Sequence, residues 1–249
     1  MGNPSSDKLA VLIDADNAQP SIVRELLAEI SRYGTANVKR AYGDWTTQNL
    51  RGWKDVLHEM AIQPMQQFSY TTGKNSTDSS LIIEAMDLLH TGKLNGFCLV
   101  SSDSDFTRLA TRIREAGLIV YGFGERKTPQ AFVAACDKFI YTEILRPLQS
   151  PVVEAEVPSL EPLEPMLRTA VTATAKENGW SPLSGVGSML LKNSPSFDPR
   201  NYGHQKLGEL VRKQPYIDLK EVQIGDGTAN FHIHVKLKDA SGTAQSARK

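Results

Sequence analysis

Residues 96–106 read GFCLVSSDSDF, a short apolar run, two serines, and then two aspartates separated by a serine. An apolar run without alternation belongs in a sheet buried on both faces, because a strand with one wet face alternates. LAVLID (9–14), LIVYGFG (118–124) and the shorter KFIYTEI (138–144) read the same way. Segments of helical spacing lie around them. SIVRELLAEISRY (21–33) repeats at Ile22, Leu26, Leu27 and Ile30 behind Pro20. Leu50 to Met60, Ser76 to His90, FTRLATRIREAG (106–117, stopped by Gly117) and PQAFVAAC (129–136) follow as helices. NVKRAYG (37–43) is a further strand, and IQPMQQFSYT (62–71) a weaker one, since Pro64 cannot donate to a ladder. Strands alternating with helices imply an α/β fold with a parallel sheet flanked by helices. In such a sheet ligands bind outside the carboxyl ends of the strands.

Acidic residues collect at those ends. Asp14 and Asp16 close the first strand and Asp103 and Asp105 the fourth, while Asp78, Glu84 and Asp87 lie on the helix after GKNST. Glu84 sits about 600° round from Asp78, roughly 120° off its face, and Asp87 about half a turn away. Carboxylates clustered at strand ends hold hard divalent cations such as Mg2+ or Mn2+. Two such ions serve phosphodiester hydrolysis by activating water and stabilising the leaving oxygen. Helix capping is the competing reading, above all for Asp16 or Asp105 taken singly. Asn17 either orients a carboxylate or caps the next helix.

The chain has 249 residues, 40% hydrophobic and 22% charged, which excludes wholesale disorder or a collagen-like repeat. No run approaches the roughly 20 apolar residues of a membrane-spanning helix. Cys98 and Cys136 lack zinc-type spacing and read as small buried hydrophobes. With no apolar stretch in the opening MGNPSSDK, they give a cytoplasmic expectation. Net charge is zero but uneven: −1 over residues 1–150, −4 over 151–165 and +5 over 166–249. SPVVEAEVPSLEPLEP (150–165) carries four prolines and four glutamates without periodicity, and reads as a stiff linker. It divides the chain into domains at 1–148 and 165–238, joined by a linker at 149–164 and followed by a disordered tail at 239–249.

In the second domain, MLRTAVTATAKENGW, PLSGVGSMLLKN and HQKLGELVRKQ read as three short helices. YIDLKEVQIGDGTANFHIHVKL follows as a strand pair turned at Asp226-Gly227. Three helices and a hairpin make a small winged helix-turn-helix. Its basic excess suits a polyanion.

VLIDADNAQP, GKNSTDSSLIIEAMDLL, FCLVSSDSDFTRLATRIREAG and VYGFGERKTPQAFVAACDKFIY together resemble the NYN domain of the PIN-like nuclease superfamily, over about residues 8–145. The resemblance implies a metal-dependent ribonuclease with a PIN-like sheet. Its catalytic and metal-binding carboxylates map onto Asp14, Asp78, Asp103 and Asp105, with Glu84 at a metal position more often occupied by Asp. GWSPLSGVGSMLLKNSPSFDPRNYGHQKLGELVRKQPYIDL resembles an OST-HTH, or LOTUS, domain over about 165–238. That family is implicated in RNA and protein binding, so single-stranded or structured RNA is the expected partner and a protein the other.

Candidate RNA contacts are Asn17, Lys74, Asn75, Arg126 and Lys127 in the first domain, and Lys206, Arg212 and Lys213 in the second, with Lys192 and Arg200 nearby. Each has a solvated alternative. Trp45 and Trp53 flank the polar loop TTQNLRG, where stacking on bases competes with core packing as their role. Trp180 reads as core, and His232 with His234 as structural. Two other functions stay open: an RNA-binding adaptor whose nuclease fold no longer cleaves, and a phosphatase. In the second, DADN resembles the nucleophile loop of haloacid-dehalogenase-type enzymes, with Asp14 as nucleophile and Asp16 as acid. No cap domain accompanies it.

Overall fold

A computed structural model describes residues 7–68, 76–146, 161–223 and 231–238. Its contacts divide the chain into two compact units, Met1–Pro158 and Ser159–Lys249.

The first unit is a six-stranded, all-parallel sheet in the order β3-β2-β1-β4-β5-β6. The strands are β1 (Lys8–Asp14), β2 (Thr35–Gly43), β3 (Gln63–Gln66), β4 (Gly96–Val100), β5 (Ile119–Gly124) and β6 (Lys138–Tyr141). Between them run α1 (Val23–Ile30), α2 (Trp53–Glu59), α3 (Ser76–His90), α4 (Thr107–Glu115) and α5 (Gln130–Ala135). Every residue of β1 from Leu9 to Asp14 is buried, as a central strand with two covered faces requires. Alternation sends Leu9, Val11 and Ile13 to the layer of α1 and α2, and Ala10 and Leu12 to that of α3, α4 and α5. Asp14 shares the parity of Ala10 and Leu12, so its carboxylate starts on the α3 side.

Several boundaries differ from the sequence reading. The helix read from Leu50 begins instead as a 3-10 turn at Gln48–Leu50, with α2 starting at Trp53. The last strand ends at Tyr141, and Thr142–Leu145 coils into a 3-10 turn. Pro64 stands inside β3, where it is tolerated because β3 is an edge strand.

The second unit holds α6 (Leu163–Thr174), β7 (Ser181–Pro182), α7 (Leu183–Asn193), α8 (Leu207–Arg212), β8 (Ile217–Gln223) and β9 (Phe231–Leu237). The three strands form an antiparallel sheet in the order β7-β9-β8. Leu167, Val171, Val186, Leu190, Leu210 and Val235 are the centre of its core. Thus α6 takes up the last two positions expected of the linker. Pro165 is accommodated in its first turn, where the missing N–H would have no helical partner anyway. The expected turn at Asp226-Gly227, the rest of the linker but Glu161 and Pro162, and the tail at 239–249 lie outside the described residues. No helix among the described residues is long and apolar enough to cross a membrane.

Candidate active site

The strand order reverses between β1 and β4, and the acidic residues gather at the carboxyl ends of those two strands. Asp14 is 1% exposed. Its Oδ2 accepts hydrogen bonds from Ser101 Oγ and Asn17 Nδ2, each at 2.7 Å, and its Oδ1 accepts the Asp16 N–H at 3.2 Å. Burial pushes this carboxyl up, and the bonds from Ser101 and Asn17 pull against it; the net direction is upward. Ser101 also accepts the Asp103 N–H at 3.1 Å, tying the β4 loop to the end of β1. Asp103 in turn caps the 3-10 turn Ser104–Phe106, its Oδ1 accepting the Asp105 N–H at 2.9 Å.

Asp78, in the first turn of α3, completes the group. One carboxylate oxygen from each of Asp78, Asp103 and Asp105 lies within 4.8 Å of the others. Burial first, and then the negative charges of Asp14, Asp103, Asp105 and Asp16, push the Asp78 carboxyl from 3.8 up to about 6. Asp16 is raised as well, by burial and by Asp44, against a hydrogen bond with Thr77. Oxygen donors crowded this closely fit a hard divalent cation. Asp14, Asp78, Asp103 and Asp105 therefore share one neighbourhood.

Glu84 is placed elsewhere. Two turns along α3, its carboxylate pairs with Arg40 and accepts the Tyr42 hydroxyl at 3.5 Å. Tyr42 stands in register with Asp14 and Arg40 with Leu12. The offset round the helix turns Glu84 toward β2 and away from the three aspartates. In the loop after β5, the Arg126 guanidinium lies 5.8 Å from the centre of the Tyr141 ring, and Lys127 pairs with Glu125 at 2.7 Å. Lys74 and Asn75 lie outside the described residues.

In the second unit, Lys206 precedes α8 and Lys213 follows it, while Arg212 pairs with Glu221. Arg200 is held by both oxygens of buried Asp198, at 2.9 and 2.8 Å. Trp53 is core, with Trp45 edge-on against it at 6.3 Å. Trp180 is outside the core cluster: it is partly buried, with Lys220 Nζ 4.9 Å from its ring centre. Sequence reasoning missed Ser101, Thr77 and Tyr42. For Ser101 the signal was parity: two residues beyond Leu99, it leaves β4 on the same side as Asp14 leaves β1.

The NYN domain family model matches residues 8–145, and the OST-HTH/LOTUS domain model matches residues 158–228. No curated protein matches. Among solved structures, the chain is similar to a protein of unknown function from Vibrio parahaemolyticus. The identity is 19%, over 56% of this chain and 94% of that one, with a TM-score of 0.46. A fragment of a Chromobacterium violaceum protein is 41% identical over 31% of this chain and 82% of its own, with a TM-score of 0.26. An uncharacterized Nitrosomonas europaea protein is 24% identical over 37% and 89%, with a TM-score of 0.29. The first domain has a nuclease-like fold, and the second suggests RNA binding. With more than half its residues matched by the first of these families, the chain belongs to the NYN-domain family.

Proposed function

We propose that the chain is a metal-dependent ribonuclease that hydrolyses RNA phosphodiester bonds, its second unit holding the RNA. The observation that carries this is the approach of Asp78, Asp103 and Asp105 oxygens within 4.8 Å at the carboxyl edge of the sheet, beside Asp14. These residues would hold Mg2+ or Mn2+. When bound, the ion supplies Lewis acidity and neutralises charge at the scissile phosphate. The chain's own groups set the geometry. Ser101 and Asn17 fix the Asp14 carboxylate, and Ser101 holds the Asp103 backbone against it. The 3-10 turn fixes Asp105 relative to Asp103. Capture falls to the second unit because residues 166–249 carry +5 while residues 1–150 carry −1.

The test incubates single-stranded and structured RNAs with the full chain in Mn2+ or in EDTA. Cleavage is expected in Mn2+ only, and is expected to be lost in Asp103→Asn, whose amide still caps the turn. RNA binding without cleavage in Mn2+ would instead favour a non-cleaving adaptor. One observation points that way: the Glu84 carboxylate is engaged by Arg40 and Tyr42.

A further inference from the structure

The three-stranded sheet of the second unit has one covered face and one open face. Ile217, Leu219, Ile233, Val235 and Leu237 turn inward to the helices. Alternation then sends Asp218, Lys220 and Val222 of β8, with His232, His234 and Lys236 of β9, to the outer face. Trp180 precedes β7, the strand on the far side of β9 from Lys220, yet Lys220 Nζ reaches within 4.9 Å of its ring centre. The indole therefore lies across the outer face of the sheet.

The turn that carries Trp180 is tightly built. Gly179 has φ +76°, a left-handed conformation that suits glycine. Its N–H donates to the Lys176 carbonyl at 2.8 Å, and the Trp180 N–H to Asn178 Oδ1 at 3.1 Å. The Lys236 stem packs on this turn, since a Cβ at Gly179 would lie 3.1 Å from Lys236 Cε. Two lysines from different strands thus meet the Gly179-Trp180 turn, Lys220 over the partly buried indole and Lys236 against Gly179. Among the described residues Asp218 is the acid in the same face, and Lys238 lies 3.9 Å from it. Beside them, His234 Nδ1 is buried without a hydrogen-bond partner.

The α8 side of the unit is charged differently. Arg212 is paired with Glu221 and Arg200 with Asp198. Lys206 and Lys213 are what that side offers a polyanion among the candidates read from the sequence, and Glu209 lies between them. A winged helix that read nucleic acid through its last helix would not be expected to neutralise its arginines internally. A flat indole with one ammonium over its ring and a second at the turn that carries it suits an unpaired base with its two neighbouring phosphates.

We propose that the outer face of the β7-β9-β8 sheet is the RNA-binding surface of the second unit, an unpaired base stacking on Trp180 while Lys220 and Lys236 contact the flanking phosphates. This rests on the RNA-binding part of the proposed function and is independent of catalysis. On binding, Lys220 exchanges its place over the ring for a phosphate, and the freed ring face receives the base.

The test measures binding of the full chain in EDTA to a fluorescein-labelled oligoadenylate and to an RNA duplex of similar length. Oligoadenylate is expected to bind more tightly than the duplex. Trp180→Ala should weaken it about tenfold, within the range of one lost base stack, and Trp180→Phe should restore most of the loss. Lys220→Glu and Lys236→Glu change surface lysines, so they keep the test valid if Trp180→Ala fails to fold. Each should weaken binding and lower the salt slope by about one. Wild-type affinity in Lys220→Glu and Trp180→Phe/Lys236→Glu, with binding lost in Lys206→Glu/Lys213→Glu, would overturn the proposal in favour of α8. A wild-type chain that binds neither RNA would overturn the RNA-binding reading itself, and this proposal with it.

Discussion

Replacing Asp78 by Asn should make the metal-free protein more stable at neutral pH. The Asp78 carboxyl is raised from 3.8 to about 6, by burial first and then by four neighbouring aspartates. Between those two values the folded chain keeps a proton that the unfolded chain has released. Stability therefore falls as pH rises through that window, and the whole penalty is present above it. The shift corresponds to about 3 kcal/mol at 1.36 kcal/mol per unit. Solvent screening of this half-buried group reduces that to about 1–2 kcal/mol. An asparagine also gives up the favourable interaction of a carboxylate with the first turn of α3, worth about 0.5 kcal/mol. The net gain is about 1 kcal/mol, or roughly 3 °C in Tm for a domain of this size. Thermal unfolding of both proteins in EDTA at pH 7.5 and pH 4 measures it. The advantage should shrink toward pH 4, where wild-type Asp78 is mostly protonated. Millimolar Mn2+ should then raise the wild-type Tm by more than that of the variant. A variant less stable than wild type at pH 7.5 in EDTA, or an advantage that grows in acid, would refute the electrostatic account of the cluster.

Ser101→Ala should cost about 2 kcal/mol in urea unfolding, because a buried hydrogen bond to a carboxylate is lost. Its cost should be larger at pH 7 than at pH 4, since the bond from Ser101 lowers the Asp14 carboxyl. In Gly124→Ala the new Cβ would meet the Ser101 carbonyl at 2.5 Å and Thr128 Oγ1 at 2.7 Å. We expect a loss of about 1–3 kcal/mol by denaturation and a smaller Tm rise with Mn2+, because the end of β4 must move. Asp198→Ala leaves Arg200 without its buried partner and should cost about 3 kcal/mol. Amide exchange should accelerate across residues 161–223 and stay unchanged in β1.

What the sequence disclosed followed from how many neighbours decide a residue's position. LAVLID and GFCLV announce buried strands, because nothing but a doubly covered sheet tolerates such runs. That Asp14, Asp78, Asp103 and Asp105 lie near one another was readable because strand ends and the first turn of a helix fix them locally. Glu84 was not, since an angle round a helix leaves open whether a cation waits on the neighbouring strand; Arg40 does. Trp180 was misread for a similar reason. Its setting depends on a lysine about forty residues further along, which no local period reports. The start of α2 and the end of β6 moved because the adjoining 3-10 turns put apolar residues, Leu50 and then Ile144 and Leu145, into the same core as their neighbours.

The place of β1 at the centre of the sheet has a consequence for the order in which the protein is made. Of the six strands in this sheet β1 is synthesised first, but one of its two neighbours, β4, begins 82 residues after Asp14. At about 5–20 residues per second, translation takes roughly 4–16 s to cover that distance. Throughout this interval one edge of this buried central strand lacks its partner, with β2 the strand available to pair on the other side. The bond between Ser101 and Asp14 spans the same gap, so the acidic group has no fixed form until Asp105 has been added. A nascent chain shorter than that carries the start of a nuclease fold without its centre.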